Sequence, residues 1–136
     1  MRHGWNIEKV FWAKKGKGIS AAGQIPPDEE FFQDHFPGFP VLPGVLAIEM
    51  LRQSAELYFE ITEPGHRRQL SLKKIKSAKF SHYLKPGDAW QSELELISEE
   101  EGKSVWNGRV LHQGRPAMAA AFELTVATIP ESALVS

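Results

Sequence analysis

The sequence predicts an α+β domain in which an antiparallel sheet wraps around one long buried helix. Three observations carry this. The segment from about Gly44 to Phe59 or Ile61 is apolar around most of a helical circumference. About six other segments read as strands, mostly joined as hairpins. A loop containing Pro37, Pro40 and Pro43 separates the first strand pair from the helix. A helix this apolar is expected to be buried, and hairpin-linked strands form an antiparallel sheet that can cover it.

Ile7 to Ala13 and Gly18 to Ile25 are short strands joined by the turn Lys14-Lys15-Gly16-Lys17-Gly18. Pro26 to Asp34 is a polar, acidic loop with a helical turn. In His35 to Pro43 each proline fixes its own φ and extends the residue before it, so the loop can hold an imidazole in one place. Pro43 and Gly44 suit a helix start. Along the helix, Glu49, Arg52, Gln53, Glu56 and Glu60 form one narrow polar stripe, and Glu63-Pro64-Gly65 ends it. Leu70 to Lys85 is one long, bent extended segment ending at Pro86-Gly87-Asp88. Trp90, Leu94 and Leu96 alternate with Gln91, Glu93 and Glu95 in the strand Ala89 to Ile97. Ser104 to Leu111 and Pro116 to Thr128 form a hairpin turning at Gln113-Gly114-Arg115. In its second arm Met118, Ala120, Phe122, Leu124 and Val126 share one face, and Ala117, Ala119 and Ala121 the other. The four tryptophans are expected to pack in the interior.

The 136 residues, 42% hydrophobic and 24% charged, fit one globular domain over residues 1–136. A net charge of −1 argues against a general nucleic-acid binder. The absence of cysteine excludes disulfides and thiolate metal sites, and no histidine has a partner at metal-ligand spacing. No segment has the length and apolarity of a membrane span or signal peptide, so a soluble cytoplasmic protein is expected. Charge is uneven. Seven basic residues (Arg67, Arg68, Lys73, Lys74, Lys76, Lys79, Lys85) fall between Pro64 and Gly87 without an acid, while Gln91 to Gly102 is purely acidic. These are either solvated strand faces or a patch for an acidic partner.

Two blocks then resemble a known family, the β-hydroxyacyl-[acyl carrier protein] dehydratases of the FabZ/FabA type. The first is Phe32-Gln33-Asp34-His35-Phe36-Pro37-Gly38-Phe39-Pro40-Val41-Leu42-Pro43-Gly44-Val45-Leu46, continuing through Ile48-Glu49 to Gln53. The second is Ile75, Ala78, Phe80 and Leu84 before Pro86-Gly87-Asp88. The specific signal is the His-Phe-Pro-Gly and Pro-Gly-Val-Leu pair, with an acid fourteen residues after the histidine. The resemblance implies a hot-dog fold and a homodimer, or a higher oligomer, with each active site at the subunit interface. It implies that His35 of one chain faces Glu49 of the other and that Gln53 orients the acid. It also implies that the Gly44 N–H receives the thioester carbonyl and that the Val41 carbonyl fixes the imidazole tautomer. The chain departs from the family pattern at Asp34, at Arg52 and at Ser81-His82-Tyr83.

Dehydration of a 3-hydroxyacyl thioester needs a base at C2, an acid for the departing hydroxyl and donors for the thioester oxygen. His35 suits the first role, since an ordinary imidazole is mostly neutral at working pH. Glu49 suits the second if its apolar helix keeps it protonated. The third falls to the helix N-terminus at Gly44 and Val45. No metal or organic cofactor is required. The plain alternative is that Glu49 belongs to the polar stripe, pairing with Arg52 at i+3 or Gln53 at i+4.

The resulting expectation is a lyase forming trans-2-enoyl from (3R)-3-hydroxyacyl groups on acyl carrier protein, with Arg67, Arg68 and Lys73 docking the carrier. A hot-dog thioesterase and a silent carrier-binding subunit are the alternatives. An isomerase side activity is disfavoured, because the bifunctional relatives usually carry aspartate where this chain has Glu49.

Overall fold

A computed structural model describes residues 7–25, 44–65 and 68–126, with only the backbone at Val45 and Leu46. His35, Val41 and Arg67 lie outside these residues, as do the loop expected from Pro26 to Asp34, and Trp5. The described elements are strands β1 (Ile7–Lys14) and β2 (Gly18–Gln24), helix α1 (Gly44–Thr62), and strands β3 (Leu70–Phe80), β4 (Ala89–Glu100), β5 (Lys103–His112) and β6 (Arg115–Val126). All strand pairs are antiparallel, in the order β1-β2-β4-β5-β6-β3. The expected sheet around a helix is what forms.

Period-two patterning decides which face meets α1. Ile19 and Ala21 of β2, Trp90, Ser92 and Leu94 of β4, Trp106 and Val110 of β5 and Met118, Phe122 and Leu124 of β6 are all buried. Opposite them Met50, Leu51, Ala55, Tyr58 and Phe59 bury the apolar side of α1. Tyr58, Phe59 and Trp106 stack edge to face, with centroids 4.9–6.1 Å apart. The Tyr58 hydroxyl accepts a 2.7 Å hydrogen bond from the Gly16 N–H, which ties the first hairpin to the helix. Ser54 donates to the Met50 carbonyl and meets Ser92 across the interface at 2.9 Å, so these two buried hydroxyls are satisfied. Past Thr62 the Glu63 N–H still bonds the Phe59 carbonyl, and Pro64 and left-handed Gly65 (φ 89°) stop the helix.

Three details differ from the sequence expectation. The extended segment from Leu70 stops at Phe80 rather than Lys85. Its partner β6 offers Pro116, which has no N–H for the ladder, and the Ser81 N–H turns instead to the Ala117 carbonyl at 2.8 Å. Ala117 is buried, although the alternation placed it outside with Ala119 and Ala121, because the β5–β6 register shifts between Val110 and Leu111. Trp12 lies on the outer face of the sheet and is 42% exposed, while Trp90 and Trp106 are buried as expected.

Strand β3 is the sheet edge that matters for assembly. Among the described residues it pairs only with β6, and two register shifts bend it, between Leu72 and Lys74 and between Ile75 and Ser77. Every residue after Leu70 in this strand is exposed, including Leu72, Ile75 and Phe80. The helix-facing row of the edge strand is therefore apolar but uncovered.

Candidate active site

The helix start is fixed by a close approach. An added Cβ at Gly44 would lie 2.7 Å from Cε1 and 2.8 Å from Cζ of Phe80, so the phenyl ring rests against a backbone that only glycine leaves bare. Register brings the ring there, since Phe80 pairs with Met118 on the helix-facing side of β3. Gly44, Ala47, Phe80, His82, Tyr83, Leu84, Ala117 and Met118 enclose a space of about 10 Å³, roughly one water-sized sphere. The helix start expected to stabilise an oxyanion thus lies beside the Phe80 ring, where the described residues leave room for about one water.

Glu49 lies one to two turns further along α1, half-buried. The i+3 and i+4 spacings of the polar stripe are both realised. Gln53 Nε2 donates to Glu49 Oε2 at 3.0 Å. Arg52 grips the same carboxylate as a fork, from Nε to Oε1 at 2.7 Å and from Nη2 to Oε2 at 2.5 Å. Arg52 Nη1 donates to Glu56 Oε2 at 2.7 Å and to the Leu70 carbonyl at 2.9 Å, and the Leu70 N–H donates back to Glu56 Oε2 at 2.8 Å. A continuous network therefore runs from Glu49 through Arg52 and Glu56 to the first residue of β3.

The Arg52 contact bears on the electrostatics of Glu49. An apolar helix was expected to keep the carboxyl protonated by desolvation. Instead a guanidinium is bonded to both of its oxygens, which favours the ionised form. Arg52 itself is held protonated more firmly than an ordinary guanidinium, through its hydrogen bonds to Glu49 first. Attraction to Glu49 and Glu56 adds to this and outweighs partial burial. Gln53 is only 3% exposed, and its Oε1 has no hydrogen-bond partner among the described residues. Its amide group is thus used through one end, toward Glu49.

Glu49, Gln53 and Gly44 share one helix. His35 and Val41 lie outside the described residues, as does Arg67, and Val45 is described in backbone only. Arg68 packs its guanidinium over the Phe59 ring at 4.3 Å and bonds Glu63 at 2.9 Å and Glu99 at 3.1 Å. Lys73 lies 3.9 Å from Glu123. Arg52 was read from the sequence only as a possible neighbour of Glu49. The signal for its wider role was its i+4 spacing to Glu56; the Leu70 contact had no local signal. Among the described residues no group of three His, Asp or Glu is placed to hold a metal ion, and no helix is long and apolar enough to cross a membrane. A larger groove of about 740 Å³, lined by Trp12, Lys17, Lys79, Glu93 and Arg109 among others, lies on the outer face of the sheet, away from this cluster.

The sequence model of the ApeI-like family, described as ApeI dehydratase, matches residues 12–115. The chain belongs to the ApeI-like dehydratase family. It is accordingly an enzyme of the lyase class. A 3-hydroxyacyl-[acyl-carrier-protein] dehydratase FabZ from Janthinobacterium sp. (strain Marseille) is 32% identical over 129 residues, covering 93% of this chain and 83% of the relative. A FabZ from Pediococcus pentosaceus is 40% identical over 90 residues, 66% of this chain and 60% of the relative's length. In fold, the chain is similar to a structure of the dehydratase heterocomplex ApeI:P from Xenorhabdus doucetiae. The TM-score is 0.76 at 13% identity, covering 95% of this chain and 86% of that one. It is also similar to smu.793 from Streptococcus mutans bound to acetyl CoA, with a TM-score of 0.67 at 14% identity and 93% of each chain covered. The hot-dog fold expected from the two sequence blocks is thus shared with these structures.

Proposed function

We propose that this dehydratase acts on (3R)-3-hydroxyacyl groups carried on acyl carrier protein and releases trans-2-enoyl products. His35 takes the C2 proton, Glu49 gives a proton to the C3 hydroxyl as it leaves as water, and the C2–H electron pair becomes the new double bond. Negative charge growing on the thioester oxygen meets the N–H groups of Gly44 and Val45 at the positive end of α1. Gln53 orients Glu49, and the Val41 carbonyl fixes the tautomer of His35. The observation that carries this reading is Glu49 on the buried helix, bonded by Gln53, just beyond an N-terminus kept bare by glycine. The names of the FabZ relatives supply the substrate class.

Assembly follows from the edge strand. An eleven-residue edge with exposed Leu72, Ile75 and Phe80 presents unpaired backbone groups and apolar side chains together. Pairing of β3 with β3 of a second copy covers both and builds a homodimer, in which His35 of one chain meets Glu49 of the other. The small volume beneath Phe80 supports a site completed by a partner. Carrier protein docks on the basic segment containing Arg67, Arg68 and Lys73. Because Arg68 is bound to Glu63 and Glu99, the exposed lysines of β3 supply most of the outward charge. A cytoplasmic setting goes with this substrate.

One observation favours hydrolysis as a second reading. The ionised carboxylate that Arg52 promotes is suited to activating water. Incubation with 3-hydroxyacyl carrier proteins of several chain lengths, followed by mass analysis, separates the two. Loss of water from the intact thioester is the expected result. Release of free acid, or unchanged substrate, defeats the dehydratase reading.

A further inference from the structure

Four of the five N–H donors of Arg52 are engaged: two on Glu49, one on Glu56 and one on the Leu70 carbonyl. A surface arginine serving only for solubility keeps its donors in water. This one is anchored at its far end by β3 and presents its fork to the carboxylate that the proposed function uses as an acid. An acid must hold a proton before it can give one, and a bidentate guanidinium opposes that. The same contact fixes the direction in which the carboxylate plane faces.

We propose that Arg52 is a positioning residue that orients Glu49 and lowers the pH at which Glu49 takes up the proton it gives, relative to its helix alone. The inference rests on the reading of Glu49 as the acid. The charged groups facing the carboxylate on its own helix are Arg52 and, through Arg52, Glu56. From β3 the facing group is the Leu70 backbone, and Arg68 is drawn off to Glu63 and Glu99. These are the facing charged groups among the described residues; His35, which the proposed site adds, lies outside them. Glu56 works on Glu49 in the opposite electrostatic sense, as a neighbouring negative charge, while holding Arg52 in place. It balances the guanidinium charge and, by bonding the Leu70 N–H, locks the fork to the sheet.

The test is a titration of the Glu49 carboxyl by carbon-13 NMR in full-length protein carrying labelled glutamate, with the signal assigned by its loss in Glu49→Gln. Arg52→Gln keeps hydrogen-bond donors but removes the charge, and should raise the Glu49 midpoint by about one pH unit, a tenfold change in proton affinity. The limb of the kcat/KM profile due to Glu49 should move up with it. Arg52→Lys, which keeps the charge, should restore most of the wild-type midpoint. Glu56→Gln removes a neighbouring negative charge and should lower it. An unchanged midpoint in folded Arg52→Gln overturns the inference. Should that variant not fold, an unchanged midpoint in folded Glu56→Gln overturns it equally. The carboxyl titration does not depend on turnover. A wild-type protein that leaves 3-hydroxyacyl carrier protein intact would therefore defeat the dehydratase reading and leave this readout standing.

Discussion

Replacing Gly44 by alanine separates packing from chemistry at the helix start. The new Cβ falls 2.7 Å from Phe80 Cε1, about 0.8 Å inside the ~3.5 Å at which two carbon atoms rest. The obstructing atoms are the far end of a ring that is 47% exposed, so the ring can swing outward rather than strain the backbone. Its departure from a favoured rotamer costs about 0.5–1.5 kcal/mol. In a domain of this size that lowers Tm by roughly 2–6 °C. The effect on turnover should be far larger. Swinging the ring away removes the wall that seats a thioester against the Gly44 and Val45 N–H groups; alanine keeps its own N–H, so the loss in kcat is bounded by the roughly 10²–10³ that outright removal of such a donor costs. The assay pairs thermal unfolding with dehydration of a 3-hydroxyacyl carrier substrate below the variant's Tm. A Gly44→Ala protein with the modest Tm loss and wild-type turnover would refute the reasoning, because the Phe80 ring would then play no part in seating the thioester.

Glu49→Gln keeps the size of the acid but has no proton to give. It should fold normally and lose about 10²–10⁴-fold in dehydration, as read by enoyl product formation. Mixing inactive His35→Ala and Glu49→Ala chains should restore part of the activity once subunits exchange, and no recovery after confirmed exchange excludes a composite site. Reversing the charges of Arg67, Arg68 and Lys73, or raising salt, should lower kcat/KM for carrier-bound substrate more than for a short pantetheine mimic, since exposed charges are screened within about 8 Å at physiological ionic strength. Equal losses for both substrates would place the damage inside the active site. Tyr58→Phe removes the 2.7 Å acceptor of the Gly16 N–H; because Gly16 is exposed and water can replace the hydroxyl, an unfolding midpoint corresponding to about 0.5–1.5 kcal/mol of lost stability is expected.

The sheet and helix were legible because their signals are local. Period-two alternation in Ala89 to Ile97 and the apolar circumference of residues 44–61 each report burial of one element without reference to another. Turn chemistry placed the β5–β6 reversal at Gln113-Gly114, where both residues adopt positive φ. What escaped depended on a second element. Ala117 is inside because the β5–β6 register slips beside it, and the end of β3 follows from a proline on β6, thirty-six residues from Phe80. The candidate site divides in the same way. Glu49 and Gln53 were legible from their spacing on one helix. The network beyond Arg52 was not, because its guanidinium bonds the Leu70 carbonyl eighteen residues on and only the folded chain brings that atom within reach.

The strand order also imposes a timetable on synthesis. β3 precedes β4 in the chain but docks on β6, at the far side of two hairpins. Between the emergence of Phe80 and that of Arg115 lie thirty-four residues, a delay of roughly 2–7 s at ordinary elongation rates. Throughout that interval the helix lacks part of its cover, and Leu72 and Ile75 have no neighbouring strand within their own chain. Lys73, Lys74, Lys76 and Lys79, set along this segment with its two bulges, give the waiting strand mutual repulsion and an irregular edge while its partner is still being made.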